Sequence, residues 1–304
     1  MRLQFVGQYL VYLGVRLFIC VIQALPVSTC QGIARSGAWL LGDVLRIRRR
    51  VVLDNLTHAF PEMSDAGRRN ITRQMWQHLL LLVIEVAHAP RKIHQSNWRD
   101  YVRLNHAPEL MTALLAPRPV VLVTGHHGNF ELGGFILGLL GFPCYAVART
   151  LDNPFLDRFL GRFRGATGQH IIPKKGGYEQ ILDVLTRGET MCFLADQFAG
   201  QKGCWVDFFG RPASTHKAIA LLALEHDAPL TVCYTMRRGQ PLVHDFDQLG
   251  VVEPSEFGGV RELTAWYTRR LELAIRRAPG QYWWLHRRWK PRRPRKAQRQ
   301  AQAA

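Results

Sequence analysis

The chain opens on an apolar run. "LQFVGQYLVYLGVRLFICVIQALP", residues 3–26, carries one charge, Arg16. It exceeds the roughly 20 residues that a membrane-crossing helix needs. An arginine in the middle is costly for a clean span, but a long side chain can snorkel and the helix can lie in the interface instead. The run therefore reads as a membrane anchor or interfacial helix over residues 1–27, with a buried core helix as the plainer alternative. A cleaved leader fits less well, because Arg2 alone supplies a positive start and no small-residue cleavage site follows.

Residues 28–118 read as helical. Ser64 with Asp65 suits the start of a helix over "AGRRNITRQMWQHLLLLVIEVAHAP", expected to stop before Pro90. From 119 the pattern changes to short apolar runs alternating with longer amphipathic ones. "PVVLVTG", "CYAVAR", "MCFLADQ", "LTVCYTM" and "PLVHDF" predict strands. "GNFELGGFILGLLG", "NPFLDRFLGRFRGATG", "YEQILDVLTRG", "STHKAIALLALEHDAP" and "GVRELTAWYTRRLELAIRRAP" predict helices. Strands alternating with helices imply an α/β fold, a mainly parallel sheet flanked by helices. The expected organisation is an anchor (1–27), a helical N-terminal region (28–118), an α/β core (119–285) and a flexible basic tail (286–304).

Composition narrows the function. The 304 residues are 47% hydrophobic and carry a formal charge of +17. The chain can bury a sizeable core, and its charge attracts nucleic acid, anionic lipid or an acidic protein. The six cysteines are scattered with no C-x-x-C pair, against a disulfide framework or zinc ribbon.

The chemistry gathers where predicted strands end. Ligands of open α/β sheets bind beyond the carboxyl ends of the strands. There the sequence puts His126, His127 and Glu131, then Arg149, then Asp196 and Gln197. A neutral imidazole accepts a proton near neutral pH, and a carboxylate on its far nitrogen fixes the tautomer. The spacing allows two pairings, His126 with Glu131 or His127 with Glu131 at i,i+4. Two adjacent histidines make a poor zinc site, and no G-x-S-x-G nucleophile motif is present.

"TGHHGNFELGG" resembles the H-x4-[DE] motif of the lysophospholipid acyltransferase superfamily, and more narrowly its late acyltransferases of lipid A biosynthesis, the lauroyl and myristoyl transferases. "RRRVVLDNLTHAFPEMS", "ARTLDNPFLDRFLGRFRGATG", "FLADQ", "VDFFGRPASTHKAIALLAL" and "QYWWLHRRWK" are similar to further blocks of that family in the same order, over about residues 45–290. The resemblance implies His126 as the base and Glu131 as its orienting acid, with His127 incidental. It implies functional roles for Arg164 and Asp196, with Gln197 beside it, and an Arg149 that binds a phosphate or carrier headgroup. It implies acyl transfer with no metal and no cofactor. The implied donor is a thioester on acyl carrier protein or coenzyme A, and the implied acceptor is a glycolipid or phospholipid hydroxyl; the Lys and Arg that follow the apolar run place the body on the cytoplasmic face of the inner membrane by the positive-inside tendency. Within the family, the competing reading is an acyl-CoA enzyme acting on a phosphatidylinositol mannoside or lysophospholipid. Outside it, a basic nucleic-acid-binding protein would explain the charge but not the H-x4-E, and no reader motif is present; a non-catalytic membrane scaffold is the third alternative.

Overall fold

The computed structural model describes residues 2–292. Nine strands and ten α-helices are present among them. Seven strands form one sheet: β1 (Val102–Leu104), β2 (Val120–Thr124), β3 (Cys144–Ala148), β4 (Gln169–Pro173), β5 (Thr190–Leu194), β8 (Leu230–Arg237) and β9 (His244–Val252). Their order is β1-β9-β8-β2-β5-β3-β4. β2, β3, β4, β5 and β8 run parallel, and β9 turns back against β8. β6 (Cys204–Phe208) and β7 (Arg211–Thr215) form a separate antiparallel hairpin.

Both faces of the sheet are covered, as its apolar strands require. Successive strand side chains alternate faces. Val121 and Val123 pack on one side with α8 (Tyr178–Thr186), α9 (Lys217–Glu225) and α10 (Val260–Arg277). Leu122 faces the other way, with Ala146, Cys192, Cys233 and Phe246, toward α4 (Asp65–Lys92), α5 (Ala107–Leu115) and α6 (Phe130–Leu139). A third cluster joins α3 (Arg49–Ala59) and α4 to the β6–β7 hairpin and to Tyr282, Trp284 and Leu285. α1 (Arg2–Ala24) and α2 (Val27–Trp39) pack on α4, and α1 also on α7 (Pro154–Gly165).

Three expectations need correction. The region 28–118 is not wholly helical, because β1 joins the sheet edge beside β9; three residues are too few to show a period. α4 runs past Pro90 to Lys92, since a proline in the last turn costs only one helical hydrogen bond. Its N-terminus is as read, with Ser64 Oγ accepting from Gly67 N at 3.2 Å. β4 lies between α7 and α8, where the pattern assigns no element. Finally, the tail does not leave the body at His286. Arg288 is 2% exposed, and its guanidinium donates to Ser214 O and, at 2.6 Å, to Thr215 Oγ1. The rest of the expected tail, from 293, lies outside the described residues.

Candidate active site

β2 is buried along its length and hands over to α6 through Gly125-His126-His127-Gly128-Asn129. The loop is pinned from three sides. Gly128 has φ of 59°, and a Cβ there would sit 2.0 Å from Thr235 O, so only glycine fits. Asn129 N donates to Thr235 O at 2.6 Å, and Trp283 N donates to His126 O at 3.0 Å. Asn129 caps α6, its Oδ1 accepting from Leu132 N at 3.1 Å, while its amide donates to Glu85 Oε2 at 2.8 Å.

Glu85, on α4, is fully buried. The Arg237 guanidinium donates to both its oxygens, at 2.7 Å to Oε2, and Leu242 N donates to Oε1 at 3.1 Å. Burial pushes the Glu85 carboxyl up, but Arg237 and His244 pull it well below the usual range. His78 bridges this pair to the loop, with Nδ1 2.9 Å from Arg237 and Nε2 3.1 Å from Gly128 O. The N-terminal helices thus hold the histidine loop from behind.

His126 stands at the carboxyl edge of the sheet. Its Nδ1 lies 2.8 Å from Asp196 Oδ1, and its backbone N donates to Asp196 Oδ2 at 3.0 Å. Asp196 is 3% exposed. Gly125 allows this approach, since a Cβ there would meet Asp196 Cγ at 3.2 Å. A buried carboxylate only accepts, so Nδ1 carries the proton and Nε2 keeps its lone pair. The Gln197 amide approaches that Nε2 at 3.3 Å. Burial pushes the His126 pKa down, but the charge and hydrogen bond of Asp196, with a smaller contribution from Glu131, raise it above its ordinary value. Burial pushes Asp196 up, but His126 and backbone donors bring it down to about 2.

Glu131 is not the partner of His126. It lies in the first turn of α6 and receives a bidentate pair from Arg164 of α7, Nε to Oε2 at 2.9 Å and Nη2 to Oε1 at 2.5 Å. His126 sits before the helix, so no helical spacing relates the two. His127 faces the interior, with Nε2 3.2 Å from Ala278 O. Burial lowers its pKa to about 4, so it stays neutral and structural.

A cavity of about 480 Å³ opens at His126. Its rim carries Glu131, Arg149, Arg164, Lys174, Gln197 and Trp283, and its walls include Leu122, Leu137, Ala146, Ile171 and Phe246 between the sheet and α6. It therefore gathers His126, Glu131, Arg149, Arg164 and Gln197, while Asp196 stands behind His126. Arg149 is exposed and paired with Asp152 at 2.7 Å. Gln169, at the amino end of β4, also lines the cavity. Its Oε1 is buried without a hydrogen-bond partner. Cys192 and Cys233 line it too, but burial pushes the Cys192 thiol far up and Cys233 up to about 12. Neither supplies a thiolate at neutral pH. Lys174, Trp283, Gln169 and Glu85 escape sequence reading. Lys174 carried a weak signal, as it follows a strand in a run with no periodicity.

An imidazole with one nitrogen held by a buried carboxylate and the other turned to a partly apolar cavity is an arrangement able to accept a proton beside an apolar ligand. Residues 1–291 match the family described as bacterial lipid A biosynthesis acyltransferase, and the chain belongs to that family. It is 29% identical over 290 residues to the lipid A biosynthesis palmitoleoyltransferase of Escherichia coli, covering 92% of this chain and 90% of the relative. It is 25% identical over 292 residues to the lipid A biosynthesis lauroyltransferase of the same organism, covering 93% and 92%. It is 31% identical over 228 residues to the phosphatidylinositol mannoside acyltransferase of Mycolicibacterium smegmatis, covering 69% of each. The protein is an acyltransferase of α/β fold.

Proposed function

We propose that this acyltransferase moves a fatty acyl chain from a thioester, on acyl carrier protein or coenzyme A, to a hydroxyl of a lipid A precursor or similar glycolipid. The observation that carries the reading is the unprotonated Nε2 of His126 at the mouth of the cavity, met by the Gln197 amide at 3.3 Å, with Nδ1 on buried Asp196. The acyl chain lies in the cavity and brings its thioester carbonyl to the rim. His126 Nε2 takes the hydroxyl proton as the oxygen attacks the carbonyl carbon. The C–O bond forms, the C–S bond breaks, and the leaving thiolate takes the proton from the imidazolium. Asp196 stabilises that imidazolium without being protonated. Glu131, held by Arg164 at the rim, positions the acceptor, and Arg149 with Lys174 receives phosphate oxygens, a geometry guanidinium groups favour.

The apolar helix Gln4–Ala24, the one such helix among the described residues long and apolar enough to cross a membrane, supports work at a membrane. The reading places the body at the cytoplasmic face of the inner membrane, where positive charge accumulates. A phosphatidylinositol mannoside acceptor is the second reading, favoured by the relative that carries that name. The test is transfer from radiolabelled acyl carrier protein and acyl-CoA donors by the purified full chain, offered each acceptor, with products identified by mass spectrometry. Transfer that His126→Ala abolishes without unfolding is the expected result. No transfer from either thioester to either acceptor overturns the reading.

A further inference from the structure

α1 is fastened to the body along one stripe between Phe5 and Gln23. A half-buried or buried stripe, Gln8, Tyr12, Val15, Ile19 and Ile22, recurs at helical spacing on one side. At the N-terminal end, Gln8 Nε2 donates to Asp152 O at 3.1 Å and Asn153 Nδ2 donates to Gln8 O at 2.8 Å. Phe5 and Tyr9 pack on Phe155 with ring centroids 4.9 and 5.1 Å apart. In the middle, the Arg16 guanidinium lies over the Phe159 ring at 5.1 Å. At the C-terminal end, Gln23 Nε2 donates to Ala87 O at 2.6 Å, and Ile22 packs with Cys30, Ala34, Leu81 and Ile84. Away from the body the helix shows an apolar face: Val6, Leu10, Leu13, Leu17 and Val21, with Leu10 61% and Leu17 67% exposed.

We infer that α1 lies in the plane of an anionic bilayer surface rather than crossing it, and so holds the cavity mouth against the lipid. The inference deepens the reading of this protein as a membrane enzyme and rests on it. Twenty-three helical residues span about 34 Å, more than the roughly 30 Å hydrocarbon core. The body accompanies them from Phe5 to Gln23. A crossing α1 would draw α7, with Asp157, Arg158 and Arg162, into hydrocarbon, or would break the bonds at both Gln8 and Gln23. Lying flat, it satisfies both demands. The exposed face enters the leaflet, while Arg158 and Arg162 on α7, on which α1 packs, and Arg149 at the rim are exposed and available to anionic headgroups. Gln8 bonds to Asp152, the partner of Arg149, so the helix is tied to the segment whose Arg149 and Leu151 line the cavity.

The test uses the full chain with Cys20 and Cys204 changed to serine, the other cysteines being buried. A nitroxide is placed in turn at Val6, Leu10, Leu13, Leu17 and Val21 through cysteine variants. The protein is bound to vesicles of phosphatidylethanolamine with phosphatidylglycerol, and depth is read by power saturation. A flat helix gives one shallow depth at all five positions. A depth that rises to a maximum near Leu13 and falls again overturns the inference while leaving membrane binding intact. Failure to sediment with vesicles overturns both the inference and the membrane reading. The double variant Leu10→Glu with Leu17→Glu, soluble in detergent, is expected to lose vesicle binding about tenfold or more and to keep its transfer rate in micelles. Undiminished vesicle binding by that variant also overturns the inference.

Discussion

Replacing Asp196 with asparagine tests the pair at the centre of the site. The carboxylate accepts two hydrogen bonds from His126, at 2.8 Å from Nδ1 and 3.0 Å from the backbone N. An amide has one oxygen and cannot accept both. If its oxygen keeps Nδ1–H, its NH2 faces the backbone N–H and a buried donor is orphaned, at about 1–3 kcal/mol. If its NH2 faces Nδ1, the ring adopts the other tautomer and Nε2 no longer accepts a proton. In both cases the imidazolium loses its counter-charge. The expected loss in kcat is roughly 10²- to 10⁴-fold, the usual worth of a positioned base, or about 2.7–5.4 kcal/mol. The pH profile gives a sharper readout. Asp196 is the largest influence raising the His126 pKa against the lowering effect of burial. Without it burial dominates, so the acidic limb of kcat/KM moves to lower pH as the plateau falls. Glu131→Gln, which removes a smaller and more distant charge, moves that limb less. The assay is acyl transfer from a labelled thioester across pH 5–9, with circular dichroism to check folding. A Glu131→Gln limb that shifts further than the Asp196→Asn limb, or an Asp196→Asn enzyme within threefold of wild type, would refute the reasoning.

Three further outcomes follow from the surroundings. Glu85→Gln leaves Arg237 buried without its counter-ion and is expected to cost about 3–5 kcal/mol, read from the urea midpoint; a loss below 1 kcal/mol contradicts the clamp described for the histidine loop. The His126–Asp196 pair makes stability depend on pH in both directions. The depressed Asp196 pKa contributes stability that is present above its ordinary value and lost as pH falls through about 2. The raised His126 pKa contributes stability that is present below its ordinary value and lost as pH rises through the folded one. The melting-temperature difference between wild type and Asp196→Asn should therefore be largest between about pH 4 and 6, and a flat difference from pH 4 to 9 would contradict the pairing. Gln169→Leu removes an unpartnered buried oxygen from the cavity wall, and is expected to speed transfer of the longest saturated chains relative to shorter ones in a thioester series, because a hydrocarbon end no longer desolvates an amide; unchanged relative rates would show that the chain stops short of β4.

The parts of the fold legible in the sequence are those whose signal is local and long. The five strand runs that were read are apolar because both faces of the sheet are covered, and α8 and α10 have clear amphipathic periods. What escaped has no such signal. β1 is three residues. β4 reads as "QHIIP", in which the polar Gln169 begins a strand and a proline ends it at the sheet edge. Pro241 does not start β9; the chain turns through Leu242 at φ 67° and the strand begins at His244. The basic run at the end looks like a solvated arm, because burial of Arg288 depends on the Ser214 carbonyl and Thr215 hydroxyl of the β6–β7 hairpin more than 70 residues away.

The same division explains the site. Strand ends and helix starts are local, and the convergence of His126, Arg149 and Gln197 at one edge follows from a parallel sheet once three strands are read. The assignment of the carboxylate does not follow. Glu131 is near His126 in sequence because both flank one strand-to-helix turn, yet Gly128 in the left-handed region and the Asn129 cap separate the imidazole from the helix. Asp196 is 70 residues distant and arrives because β5 pairs with β2 in register, Thr124 opposite Leu194. From that register, the second residue past each strand, His126 and Asp196, must stand side by side. The pairing was therefore implicit in strand order, a property that spacing within a motif does not carry. If β5 did not neighbour β2, His126 would have no buried carboxylate, and burial alone would leave its pKa lowered.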